Sequence, residues 1–146
     1  MQRVYSLLVD NNSGVLSRIS GLFTRRGYNI DSITAGVTAD PRFTRITIVS
    51  SGDEIILSQI EKQIAKLEDV IVVKVLKPEE SVYRELILVK IRANAQQRSE
   101  IVSIADIFRA KIVDAERESL VIELTGTQSK LEAFLQLLDG YEILEL

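Results

Sequence analysis

Val4-Tyr5-Ser6-Leu7-Leu8-Val9-Asp10-Asn11-Asn12-Ser13-Gly14-Val15-Leu16 carries the reading of the fold. Val4 to Val9 is an apolar, strand-like run, and Asp10 to Gly14 is small and polar. From there Val15, Leu16, Ile19, Leu22 and Phe23 recur with helical spacing until Gly27. The stretch therefore reads as a strand, a tight turn and an amphipathic helix. Asn11, Asn12 and Ser13 are residue types that cap helices through side-chain oxygens. Gly14 puts no side chain in front of the first-turn N–H groups, which have no acceptor inside the helix. Such a turn suits a carboxylate, because the free N–H groups and the helix dipole both favour an anion. An ordinary capped turn has the same composition, so the rest of the chain has to decide.

Working outward, Arg25 and Arg26 fill the last turn before Gly27, where positive charge complements the helix dipole and glycine makes a left-handed cap. Ile30 to Val37 and Phe43 to Val49 are β-rich runs joined by a turn at Asp40-Pro41. Ile56, Ile60, Ile64 and Leu67 mark a second helix from Asp53 to Leu67, and Val70 to Val75 is a β-branched strand. The order is βαββαβ. Lys77-Pro78-Glu79-Glu80-Ser81 interrupts the pattern with a proline and two acids. It then restarts: a strand at Leu86 to Ile91, a helix traced by Ile101, Ile104, Ala105 and Phe108, strands at Lys111 to Ala115 and Leu120 to Leu124, a helix traced by Leu131, Phe134, Leu135 and Leu138, and a last strand from Tyr141 to Leu146. The expected fold class is α+β, with two tandem ferredoxin-like units, each an antiparallel four-stranded sheet carrying two helices on one face. Residues 1–77 form the first unit, 78–83 the linker and 84–146 the second.

Val4 and Leu8 lie on one side of the first strand and Tyr5, Leu7 and Val9 on the other, so both faces carry apolar residues. A sheet with helices on one side only should not, and the pattern predicts that the second face meets the C-terminal unit or a second copy of the chain. Dimerisation is expected.

The 146 residues, 46% hydrophobic and 27% charged, describe a soluble globular protein. A net charge of −3 and a pI near 5.1 argue against nucleic-acid binding. There is no cysteine, which removes disulfides, thiolate metal sites and cysteine nucleophiles, and the absence of histidine removes the usual general base and the commonest zinc ligand. No apolar run approaches the ~18 residues of a membrane span, and the N-terminus does not resemble a signal peptide. A cytoplasmic, non-membrane protein is expected. Phosphate-loop, dinucleotide and zinc-protease motifs are missing, and Asp10-Asn11-Asn12 fails as a calcium loop because Val15-Leu16 stand where oxygen ligands should continue. A small enzyme on this scaffold would need an acid, base or metal constellation that the sequence does not supply.

The second polar landmark is Arg26-Gly27-Tyr28-Asn29-Ile30-Asp31-Ser32, in which Asn29 opens the second strand directly after the glycine cap. If two first units pair edge to edge or through adjacent helices, Asn29 and Ile30 of one copy can face the Asn11 to Gly14 turn of the other. The combined pocket would offer N–H donors for a carboxylate, amide oxygens for an ammonium and apolar walls for a short aliphatic side chain, which is the chemistry of a small amino acid.

Those residues carry a family resemblance. Asn11-x-Ser13-Gly14-x-Leu16-Ser17-Arg18 and Gly21-Leu22-Phe23-x-x-Arg26-Gly27-Tyr28-Asn29-Ile30-x-Ser32 resemble the small regulatory subunit of acetohydroxyacid (acetolactate) synthase. So do Gln59-Ile60-Glu61-Lys62-Gln63, Arg84-Glu85-Leu86-x-Leu88-Val89-Lys90 and Gly126-Thr127-x-x-Lys130-Leu131-x-Ala133-Phe134. The resemblance spans nearly the whole chain and implies an N-terminal ACT domain, a ferredoxin-like regulatory module, followed by the family's C-terminal domain. It implies a subunit without catalysis of its own in branched-chain amino acid biosynthesis, which binds and activates the catalytic large subunit and confers feedback inhibition by valine. The effector would sit between paired ACT domains of a homodimer. Carried over by motif, its contacts are Asn11 and Gly14 from one copy and Asn29 and Ile30 from the other, with Asn12, Ser13, Val15 and Leu16 as additional pocket residues. Leucine and isoleucine remain open as effectors beside valine. Thiamine diphosphate, magnesium and FAD belong to the large subunit, so no cofactor is expected in this chain. Family members usually continue past the last strand with a short tail rich in Arg, Gly and Val; if that tail touches the catalytic subunit, the resemblance leaves activation by a chain ending at Leu146 open, while effector binding is expected to survive. The alternative reading is a stand-alone amino-acid sensor controlling another partner, since an ACT pocket does not name its client.

Overall fold

Strict alternation along Gln2–Asp10 (β1) sends Tyr5, Leu7 and Val9 to one face, where all three are fully buried. The computed structural model describes residues 1–146. It divides the chain into two compact units, Met1–Ser81 and Val82–Leu146. In the first, β1 is followed by α1 (Val15–Arg26), β2 (Ser32–Val37), β3 (Phe43–Ser51), α2 (Glu54–Ala65) and β4 (Val70–Leu76). A single 3-10 turn at Pro78–Glu80 occupies the expected linker. The second unit runs β5 (Glu85–Arg92), α3 (Ala95–Ile107), β6 (Lys111–Ala115), β7 (Ser119–Gly126), α4 (Gln128–Leu137) and β8 (Ile143–Glu145). Each unit is a four-stranded antiparallel sheet, ordered β2-β3-β1-β4 and β6-β7-β5-β8.

Register explains the first core. Ile33, Ile48, Tyr5 and Val75 align across the four strands, as do Ala35, Ile46, Leu7 and Val73. Val15, Ile19, Leu22 and Phe23 from α1 and Leu57, Ile60 and Ile64 from α2 cover that face. The Tyr5 hydroxyl donates to the Leu57 carbonyl at 2.7 Å, so the polar end of this ring is paired where it is buried. At the β2 edge the cover stops: Ile33 is 40% and Val37 61% exposed although both belong to rows that continue into the core. The second unit repeats the scheme around Val89, Ile91, Ile101, Ile122 and Phe134, with Phe108 and Phe134 edge to face at 5.4 Å.

Several expectations need correction. The opposite face of the first sheet is not apolar throughout. Ser6, Thr47, Thr34 and Lys74 form one row and Leu8, Arg45 and Val72 another, and Arg45 Nη1 donates to Ser6 Oγ at 3.1 Å. Reading β1 alone overstated this face because its neighbours interleave charge and hydroxyls. The second strand begins at Ser32, not Ile30, so Asn29 and Ile30 sit in the loop before it. The last strand is Ile143–Glu145, shorter than Tyr141 to Leu146. Tyr141 is drawn to the helices instead, its N–H donating to the Leu138 carbonyl at 3.1 Å and its hydroxyl to Glu100 at 2.5 Å.

Candidate functional site

The helix following β1 starts differently from the other three. Asp53 caps α2, Thr127 caps α4, and Asn94 and Gln97 close the start of α3 as a reciprocal capping box. For α1 the N-cap residue is Gly14 itself, in the left-handed region at φ 88°, with no side-chain cap hydrogen bond. The sequence expectation that Asn11, Asn12 or Ser13 caps this helix is therefore corrected. Asn11 is committed elsewhere: its Nδ2 donates to the Pro41 carbonyl at 2.9 Å, its Oδ1 accepts from Thr44 Oγ1 at 3.1 Å, and its N–H donates to the Arg42 carbonyl at 2.8 Å. These bonds pin the turn to the β2–β3 hairpin. Asn12, Ser13 and Leu16 are exposed beside it, Leu16 at 49%. Val15, also expected as an additional pocket residue, is 4% exposed and packs its side chain in the core.

Open access over Gly14 also needs qualification. A Cβ built there would lie 3.0 Å from Arg18 Nη1. Arg18, one turn into α1, donates through Nε to Asp69 Oδ2, and the Asp69 carbonyl accepts the Asp10 N–H at 2.9 Å. Neither Arg18 nor Asp69 emerged as a site residue from the sequence. The signal for Arg18 was its position one helical turn after Gly14; nothing local marked Asp69.

Asn29 lies in the loop between the Gly27 cap, at φ 69°, and β2. Its carbonyl accepts from Ser50 Oγ at 2.5 Å, and its Nδ2 donates to Asp31 Oδ1 at 2.6 Å. Asp31 is held below the usual carboxylate range, first by the Ser51 hydroxyl and then by Asn29 and Gln2. Ile30 is half-buried against the core.

Within one chain these two groups do not meet. Asn11 is tied to Thr44 near the start of β3, whereas Asn29 is tied to Ser50 near its end. At ~3.4 Å per strand residue the separation is roughly 20 Å. The chain assembles no group of three or more acidic, histidine or cysteine side chains that could hold a metal.

Residues 5–72 match the AHAS small subunit-like ACT domain, and residues 84–146 match the small subunit of acetolactate synthase. The chain belongs to the acetolactate synthase small subunit family. It is 47% identical over 144 residues to a probable acetolactate synthase small subunit from Methanothermobacter thermautotrophicus, covering 98% of this chain and 86% of that protein. It is 47% identical over 135 residues to the acetolactate synthase isozyme 3 small subunit of Escherichia coli, covering 92% and 83%. The crystal structure of the acetolactate synthase small subunit from Thermotoga maritima is similar over 99% of this chain and 91% of that one, with a TM-score of 0.91 at 41% identity. A small subunit of acetolactate synthase is a regulatory, non-catalytic component of branched-chain amino acid biosynthesis and partners the large subunit. The first unit is its ACT domain.

Proposed function

We propose that this chain binds and activates the catalytic subunit of acetolactate synthase and makes it inhibitable by valine, bound between the ACT domains of two copies. The observation that carries this reading is the placement of the two polar groups at opposite ends of the β2–β3 pair. β2 is an edge strand with an uncovered apolar row, a surface that invites pairing. Two copies joined antiparallel along β2 about a two-fold axis put the Val37 end of one strand beside the Ser32 end of the other. The Gly14 turn of one copy then faces Asn29 and Ile30 of the second. Each two-fold pair has two such pockets.

The chemistry of that pocket fits an aliphatic amino acid. First-turn N–H groups of α1 receive the carboxylate; Asn29 Oδ1, with Asp31 behind it, receives the ammonium; Leu16 and Ile30 bound the side chain. Asn11 serves mainly by holding the turn against Pro41 and Thr44, with Asn12 and Ser13 at the rim. Valine, leucine and isoleucine differ by little more than methylenes, each worth ~0.8 kcal/mol, so the choice among them rests on pocket volume. Thiamine diphosphate, magnesium and FAD are assigned to the catalytic subunit. Regulation proceeds by linkage: valine binds one arrangement of the complex more tightly and shifts it from the stimulating state.

The test is acetolactate formation by the cognate catalytic subunit, with and without this chain, across a valine titration. Stimulation reversed by valine supports subunit and effector together. Stimulation without valine sensitivity rejects the pocket and keeps the partner. Absence of stimulation favours a sensor with another client.

A further inference from the structure

We propose that the Arg18 guanidinium is the counter-charge that selects a free α-carboxylate at the Gly14 turn. The proposal deepens the effector reading above and rests on it. Arg18 is not a loose surface side chain. Its Nε is held by Asp69 Oδ2, and Asp69 is itself fixed through its carbonyl to the Asp10 N–H at the end of β1. This hold leaves the two terminal nitrogens without a partner in the chain while aiming one of them at the turn: Nη1, Cζ and Nη2 lie 3.0, 3.8 and 3.9 Å from the point a Gly14 Cβ would occupy. A guanidinium carries five donors in a rigid fork, so it can keep Asp69 on Nε and receive a second carboxylate at its outer edge. The side chain is 51% exposed, which leaves that edge open to a ligand.

The second unit shows what the same layout looks like with its donors spent. Arg98 stands one turn after the N-cap Asn94, as Arg18 stands one turn after Gly14. Its Nη2 donates to the carbonyls of Glu116 and Arg117, and the Asn94–Gln97 capping box occupies the helix start. In the first unit the helix start has no side-chain cap and the outer guanidinium nitrogens have no acceptor. Two kinds of donor there converge on one small volume, and both favour a carboxylate over an amide or ester, because hydrogen bonds to an ionised acceptor are the stronger class.

The experiment is calorimetric titration of the full chain with valine and with valinamide, which keeps the ammonium and the side chain but has no carboxylate. Wild type is expected to prefer valine by about a hundredfold, and Arg18→Gln to weaken valine at least about tenfold while moving valinamide less than about threefold. The preference collapses while the weaker ligand still binds, which a merely structural role for Arg18 does not produce. Arg18→Lys keeps the charge without the fork and should fall between the two, and it carries the test should the glutamine variant not fold. A valine-to-valinamide preference unchanged in the variants, or equal loss of both ligands, overturns the proposal and leaves the effector reading standing. Wild type that binds no valine removes the effector reading, and this proposal with it.

Discussion

Replacing Gly14 by aspartate separates a binding defect from a folding defect. Gly14 adopts φ 88° and ψ −11°, a conformation costing an L-residue about 1–2 kcal/mol. A side chain there also begins 3.0 Å from Arg18 Nη1, so the guanidinium must yield by a few tenths of an ångström, which its half-exposed end can do. Against this cost, the introduced carboxylate stands at the start of a helix with no side-chain cap. It can accept first-turn N–H groups and pair with Arg18; relative to glycine a new cap adds only a few tenths of a kcal/mol, and the carboxylate's interaction with the helix dipole about 0.3–1 kcal/mol. The gain offsets part of the cost, and Gly14→Asp should lie within about 1–1.5 kcal/mol of wild type in stability. Binding has no such offset. The new carboxylate occupies the donors the effector needs, and losing two charge-assisted hydrogen bonds at ~1.5–3 kcal/mol each weakens valine by roughly 10²- to 10⁴-fold. Gly14→Ala is the control: it carries the same backbone strain without a cap or a competing charge, so it should lose about 1–2 kcal/mol of stability yet retain measurable valine affinity. Urea denaturation and valine titration of both variants decide the matter. Undiminished valine inhibition in Gly14→Asp refutes the site; equal loss of valine in both variants refutes the charge argument and leaves conformation as the cause.

Three other outcomes follow from the same structure. Val37→Lys adds charge to the exposed β2 edge, so it should shift the mass measured by light scattering at micromolar concentration toward one chain and abolish valine inhibition together with it; a dimer that persists with full valine response contradicts edge pairing. Asn94→Ala removes the α3 capping box and should cost ~1 kcal/mol in urea denaturation while leaving valine stoichiometry at one per chain. Burial pushes the Tyr5 hydroxyl up to about 12, so the folded state retains a proton that the unfolded chain releases near pH ~10, and stability should fall between those values by ~2–3 kcal/mol. Tyr5→Phe loses about 1 kcal/mol at neutral pH with the bond to the Leu57 carbonyl, and should lack that part of the alkaline decline; parallel pH profiles for the two proteins would exclude the assignment.

Much of the fold is legible locally, because each element is punctuated by residues with one physical use. Gly27 ends α1 in a left-handed cap, Asp53 opens α2, and the restart of the βαββαβ order after Pro78 marks a second unit. The errors arise where a residue answers to a partner far along the chain. Asn11 has the composition of a cap, yet its amide is taken by Pro41 and Thr44. Tyr141 has the pattern of a strand, yet Glu100 and the α4 terminus hold it. Arg18 and Asp69 lie 51 positions apart, so no local pattern announces the pair. The apolar second face inferred from β1 is only partly so, because a sheet face is the property of four strands: Val4, Val49 and Leu76 form an apolar row, while β3 and β4 also contribute Arg45, Thr47 and Lys74. The two polar groups were readable as residue types, but their position at opposite ends of β3 needed the register.

That position has a thermodynamic consequence. With the pocket divided between two chains as proposed, effector binding and edge pairing would be a single linked equilibrium: each occupied site would stabilise the pair by RT ln(1 + [L]/Kd), ~2.7 kcal/mol at a hundredfold excess over Kd. Each site's share would lie at the upper end of a typical allosteric coupling of ~1–3 kcal/mol per effector, and two sites would supply about twice it. Tight pairing alone cannot regulate, however, since a ligand shifts an equilibrium only by its differential affinity for the two states. Regulation by the proposed pocket would therefore need two arrangements that hold the Gly14 turn and the opposite Asn29 loop at different separations. The anchoring of these loops makes small changes in the β2 edge transmissible: Asn11 ties one to the β2–β3 hairpin, Asp69 ties its flank to the start of β4, and Ser50 ties the other to the end of β3. Each loop is fastened to the strands on which the proposed pairing depends, so closing such a pocket around an amino acid would move the strands rather than the loops alone.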